Sequence, residues 1–546
     1  MTTTTGRVLI TCAPPNPNGD LHLGHLSGPF FGADVLRRYL IARGASVSYV
    51  SYTDDHSCYI PRRGAEIGYP AHETALRYTR RIEQSLALAG MLPDYYEHPH
   101  REPVHDETVR REFLKLWEAG KIEERELPTA YCEPCGSYRY EAQLRGKCRF
   151  CESPSDGTYC EECGLPQDVE GLHEAKCTTC GTLTTTRPSR RLVFPLAQWA
   201  GRLTALYEES PWRRRVLDYC EKLVAAGLPD TPISRIDSYG IGVPLPGWEG
   251  HILDTWFSGI FGYIAATEAY AAALGTPELA GELWNDPDTT LVHFIGFDCS
   301  FSHATLWPAL LMALGSPVLP RHVISNEFYA LEGGKFSTSR GWAIWASDFL
   351  REVPADAARF HLALTNPETE RTDFRRTEFD HTLHTVLGAQ LDDWAGAVLA
   401  GLAAECGSVM PGERAAEPRE RAAALTANVA AALEPDVFLP RSAAAAIAGT
   451  VTWAAEDLRT AALAAGAPKL SAVLGGHAEL LATLAAVAAP LLPEWSRRVA
   501  GLFGLPTIGL DEHPAWPADG VAALAEGQRI GTAYPKVFAA RSAVDG

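Results

Sequence analysis

The alternation of apolar and polar residues near the start of the chain predicts a strand, a helix and a second strand. RVLITCA, from residue 7, is an apolar run with the length of a buried strand, and SVSYVSY, residues 46–52, has the same character. Between them, GHLSGPFFGADVLRRYLIARG carries apolar residues at helical spacing and stops at Gly44. These segments predict a βαβ unit, which is the building block of a parallel sheet.

The same pattern returns after residue 250. HILDTWF (251–257), TLVHFIG (290–296) and RHVISNEF (321–328) predict further strands separated by helical stretches. After about residue 350 the pattern is alanine-rich and helical, with breaks near Pro411, Pro440 and Pro490. We therefore predict an α/β fold in which a parallel sheet is interrupted by a long insertion and followed by an all-α bundle. The predicted bounds are 1–120 and 246–350 for the two halves of the sheet domain, 121–245 for the insertion and 351–546 for the helical part.

A polar segment follows each of four predicted strands. These segments are PPNPNGDLHLGH, Thr53-Asp54-Asp55-His56, Phe297-Asp298 and LEGGKFSTSR. Ligands of open parallel sheets bind beyond the carboxyl ends of the strands. The four segments therefore predict one shared site.

Composition and charge narrow the class of protein. A content of 46% hydrophobic and 21% charged residues is typical of a folded globular protein, and 546 residues predict several domains. The formal net charge of −19 argues against unspecific attraction to phosphate backbones. No cationic segment precedes an apolar one at the start, and the longest apolar run, 480–492, contains a proline. We therefore expect a cytoplasmic protein without a signal peptide or a membrane span.

Eight of the 13 cysteines form four Cys-x-x-Cys pairs. Two thiolates in one tight turn face the same side, and two such turns complete a tetrahedral zinc site. Disulfides are disfavoured without an export signal, and four redox pairs in one segment would be unusual. We therefore predict two structural zinc sites built from Cys132, Cys135, Cys148, Cys151, Cys160, Cys163, Cys177 and Cys180.

The HLGH segment places two histidines at a predicted helix start. The free backbone N–H groups there favour a phosphate, and Gly24 lets a flat base or ribose approach the backbone. His22 and His25 can then donate hydrogen bonds to a phosphoryl group. The alternatives are a capping or packing role and a two-histidine metal site. HLGH lacks the glutamate and the spacing of HExxH, which disfavours the metal site.

Lys335 is the single lysine between Lys222 and Lys469, and it lies in the glycine- and hydroxyl-rich segment GGKFSTSR. An ammonium group on a flexible stem suits a triphosphate whose charge moves as pyrophosphate leaves. A solvated surface loop is the alternative for this segment taken alone. Its pairing with HLGH favours the phosphate-binding role.

HLGH and KFSTS together resemble the two signature motifs of class I aminoacyl-tRNA synthetases. The chain is similar to the methionyl-tRNA synthetase family in particular, through NGDLHLGH, TDDH, the cysteine pairs, HFIGFD, KFSTSRG, PADAARFHLALTNPE and PAWP at 514–517. These segments cover almost the whole chain. The resemblance implies a Rossmann-type catalytic domain with a zinc-knuckle insertion, followed by a stem-contact segment and an anticodon-binding-like helical domain.

The resemblance also implies a reaction and its residues. An amino-acid carboxylate attacks the α-phosphate of ATP, with Mg²⁺ on the phosphates, and gives an aminoacyl-adenylate and pyrophosphate. The catalytic residues implied by position are His22, His25, Lys335, Ser337 and Ser339. The implied ATP-binding residues are Asn18, Gly24, Gly296, Asp298, Lys335 and Phe336. The implied amino-acid-binding residues are Ala13, Pro14, Asn16, Asp54, Trp256, Tyr263 and His303, although an isolated Trp256 or Tyr263 would be expected in a core.

The chain departs from the family at several of these positions. Pro14 and Asn16 stand where a leucine and a tyrosine of the methionine pocket are usual. The other departures are Ser258 for an acidic residue, Ile260 for a proline, Phe297 for a lysine and Thr338 for the second lysine of the KMSKS loop. We expect slower or differently tuned activation, and the amino acid is open between methionine and glycine or another small one.

The helical part departs further. The family reads the anticodon with an asparagine and an arginine on one helix and a later segment ending in Pro-Trp. Here the first helix presents Asp392, Asp393 and Trp394, and the second segment has no Pro-Trp. Adjacent carboxylates would repel a phosphate backbone. Residues 401–546 carry 11 Lys and Arg against 15 Asp and Glu, so basic surroundings for an RNA loop are not visible.

The sequence is compatible with three functions. The favoured one is a tRNA-independent ligase that passes the acyl group to a small amine, hydroxylamine or hydroxyl acceptor, as similar domains of bacterial specialised metabolism do. Some of those domains work with a cupin domain, so a separate cupin partner is conceivable. The second is a divergent methionyl-tRNA synthetase that charges tRNA(Met). The third is a catalytically silent RNA-binding or scaffold protein, against which the intact His22, Gly24, His25, Asp54 and Lys335 argue.

Overall fold

A parallel sheet forms the centre of the part of the chain that precedes the helical region. The computed structural model describes residues 6–167, 171–336, 341–464, 467–509 and 512–538. The first elements are β1 (Arg7–Cys12), α1 (Leu23–His25), a π-helical turn (Leu26–Phe30), α2 (Phe31–Ala42), β2 (Ser46–Tyr52), α3 (Tyr59–Ile67), α4 (Ala71–Leu88), β3 (Tyr95–Glu97) and α5 (Pro103–Glu118).

The insertion follows α5 and is built mainly of short antiparallel strands. Its elements are β4 (Glu123–Cys132), β5 (Ser137–Tyr138), β6 (Leu144–Cys148), β7 (Pro154–Ser155), β8 (Leu172–Cys177), β9 (Thr185–Phe194), α6 (Ala200–Glu209), α7 (Arg214–Ala226), β10 (Thr231–Pro232) and β11 (Ser234–Ile236). They form one four-stranded sheet in the order β10-β9-β4-β5 and one three-stranded sheet in the order β7-β6-β8.

The chain then returns to the parallel sheet. The elements are β12 (His251–Leu253), α8 (Thr255–Ser258), α9 (Gly262–Ala273), α10 (Glu278–Asn285), β13 (Thr290–Gly296), a second π-helical turn (Phe301–Leu306), α11 (Trp307–Leu314), β14 (Pro320–Asn326), β15 (Tyr329–Leu331) and β16 (Gly334–Lys335). The sheet order is β14-β13-β1-β2-β3, and all neighbouring strands are parallel. This order confirms the predicted α/β fold, with β1 at the centre.

Helices dominate the remainder. The elements are α12 (Ala346–Glu352), α13 (Ala355–Leu364), β17 (Thr372–Phe374), α14 (Arg376–His381), a π-helical segment (Thr382–Asp392), α15 (Asp393–Cys406), α16 (Ala416–Leu433), α17 (Pro440–Ala464), α18 (Ala467–Val487), α19 (Pro493–Phe503), β18 (Thr507–Ile508) and β19 (His513–Pro514). The prediction that strands disappear after residue 350 is therefore wrong in detail, because three short strands occur there.

The central strands are buried on both faces. Successive side chains of β1 point to opposite sides, so Val8 and Ile10 join a core with α2 and the helical bundle, whereas Leu9 joins a core with α5, α9 and α11. The helix α18 lies at the centre of the bundle and packs against α15, α16 and α17. Within the described chain, Lys469–Val487 is the one stretch long and apolar enough for a membrane span. Its most apolar window is 78% buried inside the protein, as in a core helix.

Two local predictions need correction. The predicted strand 251–257 is a strand only over His251–Leu253, pairs with β11 outside the parallel sheet, and continues as α8 because Asp254 caps the backbone N–H of Trp256. The predicted helix from Gly24 to Gly44 is broken at Gly28, which has non-helical φ and ψ of −99° and −121° before Pro29. A Cβ at Gly28 would lie 2.7 Å from the Asn326 amide nitrogen, so close packing on β14 accompanies the break.

Candidate active site

A deep cleft lies beyond the carboxyl ends of β1, β2, β13 and β14. Its volume is about 1400 Å³. Residues of all four polar segments line it, and Lys335 reaches it from β16, which belongs to the small sheet β16-β15-β17. The residues named from the sequence that line the cleft are Ala13, Pro14, Asn16, Asn18, His22, Gly24, His25, Asp54, Trp256, Gly296, Asp298, His303, Lys335 and Phe336.

Ser337 and Ser339, named from the sequence as catalytic, lie outside the described residues, as does Thr338. Tyr263 is fully buried and stands behind His303 rather than on the wall of the cleft. The expectation that Tyr263 lines the amino-acid pocket is therefore corrected to a supporting position.

Three aromatic rings stack at the start of the HLGH helix. The ring centroids of His22 and His25 are 3.8 Å apart, and those of His22 and Phe336 are 4.5 Å apart at an interplanar angle of 9°. A Cβ at Gly24 would lie 3.0 Å from the His22 ring and 3.1 Å from the Phe336 ring. Gly24 is therefore the residue that lets this stack form, and the stack joins the HLGH segment to the segment that carries Lys335.

The two imidazoles are neutral in the cleft. Burial, with a smaller contribution from His25, lowers the pKa of His22 to about 2, and burial among the surrounding protein lowers the pKa of His25 to about 4 although its ring is open to the cleft. The backbone N–H of His22 donates to His25 Nδ1 at 3.1 Å. The neutral ring of His25 therefore carries its proton on Nε2, where it can donate to a ligand.

Asp54 contributes a carboxyl group to the wall of the cleft. Burial, Glu141 and Asp55 together raise the pKa of Asp54 to about 8. A buried carboxyl of this kind becomes a strong partner for an ammonium group, because the bound cation favours the ionised form.

Beside it, the indole of Trp256 forms part of the wall. The hydroxyl of Tyr263 donates to His303 Nε2 at 2.7 Å, while His303 Nδ1 faces the carbonyl oxygen of Cys299 at 3.1 Å. Since a carbonyl oxygen only accepts, the Nδ1 of His303 carries the proton. Burial lowers the pKa of His303 to about 4, so this floor of the pocket is neutral.

Another part of the cleft is lined by Gly296, Asp298 and Lys335. A Cβ at Gly296 would lie 2.4 Å from Asp298 Oδ1, so any residue larger than glycine would displace this carboxyl. Burial raises the pKa of Asp298 to about 6, with Glu161 contributing. Lys335 is exposed and its ammonium group contacts Glu161 Oε2 at 2.9 Å. A phosphate group would compete with this exposed ion pair at little cost, since such pairs are weak.

The eight paired cysteines form two clusters. The first contains Cys132, Cys135, Cys177 and Cys180, and the second contains Cys148, Cys151, Cys160 and Cys163. Opposed sulfur atoms are 3.4 and 3.9 Å apart in the first cluster and 3.8 and 3.6 Å apart in the second. Four sulfurs bound tetrahedrally at about 2.3 Å from one ion would be about 3.8 Å apart. Both clusters could therefore hold a metal ion.

The sequence did not reveal which insertion residues reach the cleft. Glu141, Tyr159 and Glu161 all line it, and each comes from the insertion between β5 and β8. Glu161 lies between the ligand candidates Cys160 and Cys163, so its contact with Lys335 brings the second cluster close to the part of the cleft that contains Lys335. No periodicity or motif in the sequence marks these positions.

The helix face that was expected to meet an anticodon does not form the repulsive acidic surface that the sequence predicted. Asp392 is 1% exposed and accepts from the Tyr534 hydroxyl at 2.5 Å and from the backbone N–H groups of Val537 and Phe538 at 2.9 and 2.6 Å. Trp394 is 2% exposed, and Asp393 pairs with Lys536 at 2.6 Å. The two carboxylates therefore do not form a repulsive surface, because the segment around 534–538 covers Asp392.

Comparison with known proteins identifies methionine--tRNA ligases among the relatives of this chain. The family described as tRNA synthetases class I (M) matches residues 8–396. A methionine--tRNA ligase of Methanopyrus kandleri is 33% identical over 393 residues, which are 71% of this chain and 58% of that relative's length. A methionine--tRNA ligase of Bacillus cereus is 31% identical over 437 residues, 79% of each chain.

Solved structures of methionyl-tRNA synthetases have a similar fold. The crystal structure of Mycobacterium tuberculosis methionyl-tRNA synthetase bound by methionyl-adenylate superimposes with a TM-score of 0.78 at 20% identity, and the match covers 97% of this chain and 100% of that one. The resemblance carried by HLGH and KFSTS is thereby confirmed at the level of the family. The chain belongs to the class I tRNA synthetases (M), a family of ATP-dependent ligases that form aminoacyl-adenylates.

Proposed function

We propose that this protein activates an amino acid with ATP. An oxygen of the amino-acid carboxylate forms a bond to the α-phosphorus, the bond from that phosphorus to the bridging oxygen breaks, and pyrophosphate leaves with the electron pair. The observation that carries the proposal is one cleft that holds His22, His25 and Lys335 together with Asp54. No protein nucleophile is needed for such a reaction, only positioning and stabilisation of charge.

Each group has a role that its chemistry supports. Neutral His22 and His25 donate N–H bonds to the phosphoryl oxygens, and Lys335 exchanges Glu161 for the departing phosphates. Asp298 accepts from the ribose hydroxyls and Asp54 binds the substrate ammonium group. Mg²⁺ would neutralise the phosphates when ATP is bound.

We further propose that both cysteine clusters hold zinc. All eight candidate ligands are sulfur, so neither site offers an open coordination position for catalysis. The zinc ions would fix the short strands of the insertion, whose small cores give little stability of their own.

We propose a small acceptor rather than tRNA for the acyl group. The observation that favours it is the cover over Asp392 by the chain's own segment 534–538, because the family resemblance implies anticodon reading on this helix face. An amine, a hydroxylamine or a hydroxyl of a small molecule could reach the adenylate through the open cleft.

The second candidate function is charging of tRNA(Met), which the names of the curated relatives favour. The amino acid is open in the same way, because Pro14 and Asn16 line the cleft in place of the usual leucine and tyrosine. Methionine, glycine and other small amino acids are therefore all test substrates.

The test is ATP–pyrophosphate exchange with a panel of amino acids, in the presence and absence of tRNA. We expect exchange without tRNA. Lys335→Ala and His22→Ala should each lose about 2–4 kcal/mol of transition-state stabilisation, the scale for removal of one preorganised donor. Lys222→Ala, an exposed lysine on α7, is the matched control and should exchange like the wild type.

The outcomes separate the candidates. Efficient charging of tRNA(Met) by the wild type would replace the small acceptor by tRNA and leave the adenylation proposal standing. Absence of exchange with every amino acid tested would refute adenylation and favour a silent scaffold. An unchanged rate in Lys335→Ala would show that this lysine does not contact the phosphates.

A further inference from the structure

The insertion reaches the amino-acid end of the cleft at Glu141. This residue begins the 3₁₀ turn Glu141–Gln143, is 6% exposed and has a φ of +40°. A positive φ is costly for a residue with a Cβ and persists only where surrounding contacts impose it. Gly157 lies close enough that a Cβ there would be 2.9 Å from Glu141 Cα. The fold therefore holds Glu141 in one place.

Both carboxylate oxygens of Glu141 are bonded. Oε1 accepts from the indole N–H of Trp256, and Oε2 accepts from Arg235 at 2.9 Å and from the Cys58 thiol at 3.3 Å. Arg235 is fully buried and also reaches Asp254 at 3.3 Å. Asp254 in turn accepts from the backbone N–H of Trp256 at 3.1 Å. These bonds close a ring in which Glu141 and Trp256 both line the cleft.

A second insertion residue packs on the same indole. The ring of Tyr159, which is 8% exposed, meets Trp256 edge-on with centroids 4.4 Å apart. Contacts from Glu141 and Tyr159 thus position an indole that belongs to a different part of the chain. The orientation of Trp256 is therefore set by the insertion as well as by α8.

Glu141 also acts on Asp54 through its charge. Glu141 and Asp55 raise the pKa of Asp54 beyond the effect of burial, whereas His105 and Arg235 lower it. Two carboxylates near one position attract a cation more strongly than either alone, since the ammonium relieves their repulsion.

We propose that Glu141 is a positioning residue of the amino-acid site, which fixes the indole of Trp256 and adds a carboxylate to the cleft that Asp54 also lines. The substrate class that follows is an amino acid with a free ammonium group. This part of the inference rests on the proposed function, whereas the link between Glu141, Trp256 and Asp54 can be tested without any substrate.

The kinetic test compares Glu141→Gln, Glu141→Ala and Glu479→Gln in exchange with methionine and glycine. Gln keeps an oxygen for the indole but removes the charge, and Ala removes both. We expect Ala to raise the amino-acid KM about 10- to 100-fold, Gln to raise it less, and the ATP KM to change by less than about twofold in both. Glu479 is an equally buried carboxylate paired with Arg414 in the bundle, so its Gln variant controls for lost stability.

The substrate-free test uses ¹⁹F NMR of the full chain labelled with 5-fluorotryptophan, in which Trp256→Phe assigns the signal. The Trp256 signal should titrate with a midpoint near pH 8 as Asp54 ionises, and Asp54→Asn should abolish this titration. Glu141→Gln should move the midpoint to lower pH, because it removes a charge that disfavours ionised Asp54. Glu479→Gln should leave the signal unchanged.

The inference would be overturned if the Trp256 signal and the amino-acid KM responded to the Glu141 variants as weakly as to Glu479→Gln. Lack of exchange by the wild type would count against the proposed function instead, and the NMR titration would still decide the role of Glu141.

Discussion

Burial shifts the pKa values of the histidines and of the aspartates in the cleft in opposite directions. His22 and His25 lose their positive charge because burial lowers their pKa values to about 2 and about 4. Asp54 and Asp298 retain protons more readily because burial raises their pKa values to about 8 and about 6. The cleft therefore contains neutral hydrogen-bond donors and weakly acidic carboxyls. The charges come with the substrates, as an ammonium group and a triphosphate.

This tuning predicts the pH dependence of exchange. A carboxyl with a raised pKa ionises as the pH rises through that value, so kcat/KM for the amino acid should increase with a midpoint near pH 8. By the same sign, kcat/KM for ATP should increase with a midpoint near pH 6 through Asp298. The histidines should add no step between pH 5 and 9, since both are already neutral there.

Steady-state exchange measured with each substrate varied in turn checks these profiles. Asp54→Asn should remove the midpoint near pH 8 and leave the one near pH 6 in place. A single midpoint near pH 6.5 that disappears in His25→Ala would instead assign the titration to an imidazole.

At the scale of elements, the sequence predicted the parts that repeat a simple pattern. The strands Ser46–Tyr52 and Thr290–Gly296 are found where apolar runs predicted them, because parallel strands buried on both faces are apolar throughout. The break at Gly28 and the short strand His251–Leu253 were missed, because each depends on a contact with a distant partner, Asn326 in one case and β11 in the other.

Some residues of the site could also be predicted from the sequence, and others could not. His22, Asp54 and Lys335 could be named because each follows a strand or stands in a recognisable motif. Glu141 and Glu161 could not, because they reach the cleft only after the insertion folds back over it. The cysteine pairs were recognisable as four turns, but their pairing across the insertion, the first with the fourth and the second with the third, required the structure.

The two clusters lead to a prediction about metal content. The purified chain should contain two zinc ions, and Cys151→Ser should leave one, since it removes one of four ligands from the second cluster only. Cys406→Ser, a cysteine of α15 outside both clusters, should retain two. Elemental mass spectrometry of each protein gives the count. The loss of both ions in Cys151→Ser would show that the clusters do not bind independently.

At the scale of the whole molecule, a buried ion pair links the sheet domain to the helical part. Arg359 of α13 is fully buried and donates to Asp34 of α2 at 2.6 Å. It also donates to the carbonyl oxygens of Gly90, after α4, at 3.0 Å and of Pro490, after α18, at 2.7 Å. One buried side chain therefore satisfies polar groups of the sheet domain and of the helical bundle.

Arg359→Met should therefore destabilise the entire chain. The substitution preserves much of the volume but removes the donor to the Pro490 carbonyl oxygen and one donor to Asp34. Arg38 still contacts Asp34 at 2.8 Å and the Gly90 carbonyl oxygen at 3.1 Å. We expect a loss of about 3 kcal/mol, the lower part of the range for breaking a buried pair, because Arg38 still compensates the carboxylate. Arg497→Met removes an exposed pair with Glu494 and should cost less than about 1 kcal/mol. Calorimetric and denaturant unfolding of both variants measure the difference, and equal midpoints would mean that the two halves are held together by their apolar contacts and not by Arg359.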